Sequence, residues 1–567
     1  MIWWVETPSR SIREHAAVET LASSVNWLRL VGLRLDGTKL CWDADISTDE
    51  RVYPVTLRYP DHFPHSPVLV LPRGVDERWS SHQYGAGGEL CLEFGPDNWH
   101  SDITGADMLQ SAHRLLSGEE TRQVGGPEVA TRHEQSLGQE LRFASNRLFV
   151  PLDGQDMLST IDEGIAISGT VLVLYRKGST TFVLSAAGNG DSGWKASLSA
   201  PLVESSFSLP VRIVRVEADF VLPTLKEVAL FREEWLERGV DTTDTKILIV
   251  IKNRIVSAFD LFSKNKAVRS SVILQKDVRT RRDENHDALL GRKVAIIGCG
   301  SLGSKVATTL TRSGVGHFIL VDDDILFPEN LVRNDLDWRE IALHKVDGLA
   351  EKLQFANPLV MCECFKRNLG GQESSENIET LLGVLAACDL LIDCTANAAA
   401  FNYLCAVSEF AKKSVVWGEI FGGGFGGLIA RSRYGLDPDP ATMRHMILQW
   451  CDQQGRAVES SPGRYEGNEA EPEIADDAEV GAIAAHMALL ALDTLIPRVP
   501  SAFPQSVYVI GLRAGWIFDA PFDTRPIDVG GPVMKEDGTV TDEDKRAEVE
   551  RIIKLLVEYP NANSSAS

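Results

Sequence analysis

Apolar and polar positions along the chain fall into four stretches of different texture. The first opens with a helical pattern from Arg13 to Ser23, then the strand-like runs WLRLVGLRL and KLCWDADIS, then the proline-rich passage YPDHFPHSPVLVLPRG. The polar segment GEETRQVGGPEVATRHEQ reads as a linker. From about 150 to 285, short β-rich segments recur (GTVLVLYR, TTFVLSAA, LPVRIVRVEADFVL and KILIVIKNRIVSAFDL), with no catalytic constellation among them. From about 286 the order becomes strand, glycine-rich turn, helix, strand: KVAIIGCGSLGSKVATTLTRSGVGHFILVDDD. That is the grammar of a parallel, doubly wound sheet. The runs CDLLIDCT and SVVWGEI extend the sheet, and VGAIAAHMALLALDTLI reads as an apolar helix. The end, DEDKRAEVERIIKLLVEY, has helical periodicity before a polar tail. The pattern predicts an α/β multidomain chain with parts at 1–150, 151–285, 286–520 and 521–567, the last a C-terminal helix and tail.

Composition narrows the class. A chain of 567 residues, 44 % hydrophobic and 24 % charged, is of ordinary globular make-up and holds several domains. Its 57 basic against 80 acidic residues give a net charge of −23, which disfavours general binding to nucleic acid or to anionic membrane. No run reads as a membrane span, and MIWWVETPSR lacks the shape of a signal peptide. The nine cysteines are scattered, without disulfide-framework or zinc-like spacing. The expectation is a cytoplasmic protein with free thiols and no bound structural metal.

Gly298, Gly300 and Gly303 form GxGxxG between the apolar strand VAII and a helix. The first glycine allows a tight turn, the second lets a phosphate approach the backbone, and the third lets helix and strand pack closely. Asp322 ends the next strand, about 20 residues on, at the distance suited to a ribose hydroxyl. A dinucleotide-dependent oxidoreductase would show the same features. The following DDDILFPENLVRN and Lys345 favour a triphosphate instead, because Arg333 and Lys345 supply two fixed cations. Asp324 or Asp393 would hold the accompanying Mg²⁺ through oxygen ligands.

This stretch resembles the adenylating domain of the ThiF/ubiquitin-activating family, whose pattern is GxGGLGS, GVG, DxDxVxxxNLxR and then a lysine. The likeness covers about 286–500. It implies ATP as cofactor, Asp322 on the ribose, Arg333 and Lys345 on the phosphates, and Asn330 supporting the site. The later motif DxTDN appears as Asp393-Cys394-Thr395-Ala396-Asn397, so alanine stands where the family's metal-serving aspartate would be. The Mg²⁺ role then falls to Asp324 or Asp393.

A lone cysteine between leucines is more often a small buried hydrophobe than a nucleophile. The surroundings of Cys91 point the other way, toward a catalytic thiol. Gly88-Glu89-Leu90-Cys91-Leu92 with Trp99 beyond, and Tyr59-Pro60 with Phe63-Pro64-His65-Ser66-Pro67 upstream, resemble the ubiquitin-conjugating fold over about 20–117. The helical segment DMLQSAHRLL fits the next segment of that fold. The family's His-Pro-Asn is replaced by His82-Gln83-Tyr84. Gln83 or Asn98 is then the candidate for the polarising amide, and His82, His100 or Asp102 for assisting an incoming amine.

The two resemblances together describe an activating and a conjugating enzyme in one chain, similar to bacterial fusions from antiphage (CBASS) operons. They imply an α+β conjugating-like domain, a β-containing linker domain and a Rossmann-like adenylating domain. The implied partners are a protein with a free C-terminus (a cGAS-like nucleotidyltransferase or a ubiquitin-like protein), a target amine, and a second copy in a homodimer. Family position places a further acceptor thiol between SVVWGEI and VGAIAAHM, where Cys451 is the only cysteine. The apolar neighbours of Cys451 equally suit an inert helix face, so Cys451 as acceptor, direct transfer to Cys91, and a substituted residue in the loop GRYEGNEAEPEIADDAEVG are all open on the residues alone, as is a purely binding role for the chain.

Overall fold

The computed structural model describes residues 2–74, 79, 82–84, 87–123, 137–142, 144–188, 193–262, 266–277, 284–455, 475–496, 498–532 and 541–558. The chain divides into two compact units, Met1–Phe143 and Ala144–Ser567.

In the first unit, helix α1 (Pro8–Ser24) precedes four antiparallel strands in simple meander order: β1 (Leu28–Asp36), β2 (Lys39–Ser47), β3 (Val52–Arg58) and β4 (Leu69–Pro72). The periodicity missed β3, because Pro54 interrupts it. Pro54 lies just beyond the β3–β4 ladder, and its carbonyl accepts the Arg73 N–H at 2.9 Å, so the strand tolerates it. The short hairpin β5 (Gln83–Tyr84) and β6 (Glu89–Leu90) leads into Cys91, and helix α2 (Gly105–Gln123) comes next. Val18 and Leu21 of α1, Val55 and Leu57 of β3, and Leu109 and Leu116 of α2 share one core.

A buried polar knot fixes where α2 begins. Glu14 Oε2 accepts the Tyr59 hydroxyl at 3.0 Å and the Gly105 N–H at 2.7 Å, while Arg10 donates to the Ile103 carbonyl at 2.7 Å. The Glu14 charge thereby sits at the helix N-terminus, where the backbone dipole favours it.

The second unit contains two sheets. Strands β7 (Asn146–Val150), β8 (Ala166–Arg176), β9 (Ser179–Ala187), β11 (Phe207–Val216), β12 (Ile247–Lys252), β13 (Ile255–Asp260) and β14 (Val268–Leu274) close into a ring, because β8 pairs with both β9 and β11. The two-residue strand β10 (Trp194–Lys195) adds to β9. Inward residues such as Leu148, Leu184, Ile213 and Ile249 fill the ring, and helix α3 (Val228–Glu237) buries Phe231 and Trp235 against its outside. Strand β7 lies within 1–150 of the sequence reading but pairs in this sheet, parallel to β9 and β14.

The other sheet has the order β17-β16-β15-β18-β19-β20-β21-β22. Its parallel part is β15 (Lys293–Ile297), β16 (His317–Val321), β17 (Met361–Phe365), β18 (Leu390–Asp393) and β19 (Ser414–Phe421). An antiparallel extension, β20 (Gly426–Ser432), β21 (Val507–Gly511) and β22 (Thr524–Ile527), carries the sheet past residue 520. Helices α4 (Ser301–Ser313), α5 (Lys345–Ala356) and α8 (Asp477–Leu495) share one core with the sheet. Helices α6 (Ala398–Ala411) and α7 (Pro440–Gln453) share the other. Among the described residues α8 alone is long and apolar enough to span a membrane, contrary to the reading of the sequence; half of it is buried here, against α4, β19 and β20. Helix α9 (Asp542–Glu558) buries no residue.

Candidate active site

The glycine loop leaves β15 at its C-terminal end, the side on which open α/β sheets bind ligands. Gly298 has φ +86°, and its N–H donates to the Val321 carbonyl at 2.8 Å, tying the loop to β16. A side chain at Gly303 would collide with the Gly298 carbonyl oxygen, so that glycine is required for the helix to approach the turn. Gly300 differs: a Cβ there would meet nothing within 4 Å. The open space lies over the N-terminus of α4, where backbone N–H groups face a prospective anion.

Asp322 bridges two loops. Its carboxylate accepts the Cys299 N–H at 2.7 Å and the Asp324 N–H at 2.9 Å. Burial pushes its carboxyl above the ordinary range, with Lys345 and the two amides pulling the other way. Lys345, nearly buried at the start of α5, places Nζ 2.6 Å from Asp324 Oδ2. The carboxylate oxygens of Asp322, Asp323 and Asp324 lie within 4.8 Å of one another, a donor set that fits a hard divalent cation.

Arg333 is half-buried, and its guanidinium has no hydrogen bond or ion pair among the described residues. The segment bearing it is tied to the glycine loop by Asn334, whose Nδ2 donates to the Cys299 carbonyl at 3.2 Å. The sequence reading passed over Asn334, which lies one residue beyond the motif. Asn330 supports the site indirectly. Its Oδ1 accepts the Phe327 N–H at 2.9 Å and so caps the turn Pro328–Val332 that precedes Arg333.

Asp393 ends β18, only 4 % exposed, and its Oδ1 accepts the Thr395 N–H at 2.9 Å and hydroxyl at 2.7 Å. Burial raises its carboxyl despite those bonds. Ala396 adopts φ +52°, a left-handed conformation uncommon for alanine.

Cys91 stands just past β6, half-buried, its N–H donating to the His82 carbonyl at 2.8 Å. Burial pushes the thiol up from its ordinary value. The two candidate polarising amides are committed to the loop instead. Gln83 donates to the Gly88 carbonyl at 2.8 Å and accepts the Trp79 N–H. Asn98 accepts the Gly95 N–H at 2.8 Å and donates to the Glu93 carbonyl at 3.0 Å. His82 is buried, with Nε2 3.4 Å from Glu119 of α2, whereas His100 and Asp102 are exposed.

Of the two readings of Cys451, the structure shows the inert helix face. It lies on the inner face of α7, 1 % exposed among core residues, and burial pushes its thiol up to about 11. In this conformation it is a protonated core residue rather than an accessible acceptor. Residues 456–474, which hold most of the loop beyond it, lie outside the described residues.

Residues 274–431 match the ThiF family, a segment that contains the glycine loop, Asp322, Lys345 and Asp393. The chain is similar to the ATP-dependent ubiquitin transferase-like protein Cap2 of Pseudomonas aeruginosa (strain BWHPSA011 / Pa011), 26 % identical over 163 residues, 28 % of this chain and 28 % of that protein. It is also similar to ubiquitin-like modifier-activating enzyme 5 of Drosophila persimilis, 31 % identical over 129 residues, 22 % of this chain and 34 % of the relative. These matches span about a third or less of either relative. Among solved structures, E. coli MccB crystallised with ATP aligns with TM-score 0.33 and 16 % identity, covering 44 % of this chain and 68 % of that one.

Proposed function

We propose that the protein activates the C-terminal carboxylate of another protein with ATP, captures it as a thioester on Cys91 and passes it to an amine on a target. The carrying observation is that one chain holds both the Gly298–Asp322–Lys345 cluster and, on its other compact unit, a half-exposed thiol on a hairpin. The order of α1, the four-strand meander, the Cys91 hairpin and α2 supports a conjugating-like reading of that unit.

A free carboxylate is a poor acyl donor; attack of its oxygen on the α-phosphorus of ATP breaks the α–β phosphoanhydride bond, releases pyrophosphate and leaves AMP as the acyl leaving group. Asp322 would hold the ribose hydroxyls, and the N-terminus of α4 with Arg333 and Lys345 would face the phosphates. Asp324, beside Asp322 and Asp323, would take Mg²⁺ once Lys345 turns to phosphate. Asp393 is less suited, with one oxygen already held by Thr395. At Cys91 the thiol must lose its proton before Sγ forms the thioester and AMP departs. The target amine then forms the amide and returns the thiol. The activated protein is a cGAS-like nucleotidyltransferase in an antiphage operon. A ubiquitin-like protein is the second reading, favoured by the similarity to the modifier-activating enzyme. We assign the enzyme to the cytoplasm as a homodimer.

The test is a Cys91→Lys variant expressed in the native host and weighed intact, since an amide survives where a thioester is lost. A mass increment matching a neighbouring protein is expected and names the substrate. No increment, together with no ATP turnover, overturns the proposal in favour of a binding module.

A further inference from the structure

Beyond the glycine loop, a small cavity of about 40 Å³ is lined by Asp393, Ala396, Trp417, Glu419 and Arg444. That is room for a few water molecules or one small group. It adjoins the nucleotide loop directly: the Cys394 N–H donates to the Ile297 carbonyl at 2.8 Å, and a Cβ on Gly298 would lie 3.1 Å from the Cys394 carbonyl carbon. Arg444, on α7, is half-buried with its guanidinium 4.9 Å over the Phe401 ring. It makes no hydrogen bond or ion pair with any described residue, although Asp393 and Glu419 attract it across the cavity. The ring covers one side of the cation, and its N–H groups are left for a ligand. The single-carbon side chain of Ala396 helps keep the space clear.

We propose that this cavity seats the end of the incoming polypeptide and that Arg444 binds its terminal carboxylate, holding it beside the nucleotide loop. This rests on the activating function proposed above. A planar cation presenting parallel N–H groups is matched to a carboxylate, and among the described residues no other cation lines the cavity. Arg444 acts before bond formation, and its loss weakens capture of the acyl substrate while sparing the nucleotide.

The test uses the full chain with a pool of N-acetylated hexapeptides randomised at the last two positions, and the same pool amidated at the C-terminus. Pyrophosphate release from ATP is followed, and ATP affinity is measured separately by calorimetry. The wild type is expected to respond to the acid pool alone. Arg444→Met should raise the half-saturating peptide concentration at least tenfold with ATP affinity unchanged, and Arg444→Lys should fall between. Equal peptide dependence in Arg444→Met and wild type overturns the assignment of Arg444 alone. A parallel loss of ATP affinity makes Arg444 a structural residue and overturns it too. No release by wild type with either pool, despite ATP binding, counts against the activating function itself and takes this inference with it.

Discussion

The ammonium of Lys345 lies 2.6 Å from a carboxylate oxygen of Asp324, with the lysine nearly buried and the aspartate half exposed. The pair joins the start of α5 to the loop after β16, next to the carboxylate that holds the glycine loop. A cation stored on an exposed carboxylate is available for transfer to a phosphate.

Lys345→Met should therefore weaken binding of a non-hydrolysable ATP analogue by roughly 10- to 100-fold, the scale of a lost charge-assisted hydrogen bond. Folding stability should change by less than about 1 kcal/mol, because Asp324 remains hydrated. Calorimetric titration and urea unfolding separate the two. A large stability loss with intact nucleotide binding would make the lysine structural.

The two glycines Gly300 and Gly303 should respond in opposite ways to alanine. Gly303→Ala drives a methyl into the Gly298 carbonyl and should cost roughly 1–3 kcal/mol or more of stability. Gly300→Ala meets no protein atom, so the melting temperature should hold while nucleotide affinity drops. Differential scanning calorimetry with and without the ATP analogue checks both.

Arg431 is fully buried, with Nη1 2.8 Å from Asp493 Oδ2 and Nη2 2.9 Å from Ser501 Oγ. Arg431→Met leaves a carboxylate without its cation and should cost about 3–5 kcal/mol. Burial works against ionisation of Asp493, but bonds from Ser501 and Arg431 outweigh it and hold its carboxyl below the ordinary value. Its contribution is thus complete above the unfolded pKa, near 4, and fades as pH falls below that through the folded value. Urea unfolding at pH 7 and pH 3 should show a smaller pH-dependent loss in Arg431→Met than in wild type.

Thiol reactivity should separate the two acceptor candidates. Iodoacetamide attacks the thiolate, so Cys91, raised by burial but half exposed, should label slowly at pH 7 and faster as pH rises toward and beyond 9. Cys451, at about 11 and 1 % exposed, should stay unlabelled until the unit unfolds. Peptide mass mapping after timed labelling distinguishes them. Early labelling of Cys451 would restore it as an acceptor.

The cluster around the glycine loop was legible because its parts are local. Gly298, Gly300 and Gly303 lie within one turn, and Asp322 closes the adjacent strand, so strand–turn–helix order alone brings them together. Asn334 escaped notice because its contact with the Cys299 carbonyl is made across chain-distant loops. Strand β3 was hidden by Pro54, whose tolerance depends on where the ladder ends. The closure of the second sheet depends on β8 pairing on both edges, which local periodicity does not encode.

By itself the sequence determined the βαβ core and the glycine loop with its acid and nearby cations, because periodicity and motif spacing are properties of neighbouring residues. Only the tertiary structure decided what each polar group is free to do. Gln83 and Asn98 are consumed by their own loop, Cys451 is sealed in the core, and Arg444 on α7 has no hydrogen-bond partner among the described residues. Availability of a side chain depends on what burial and hydrogen bonding from distant segments leave over, and that is settled only when those segments pack.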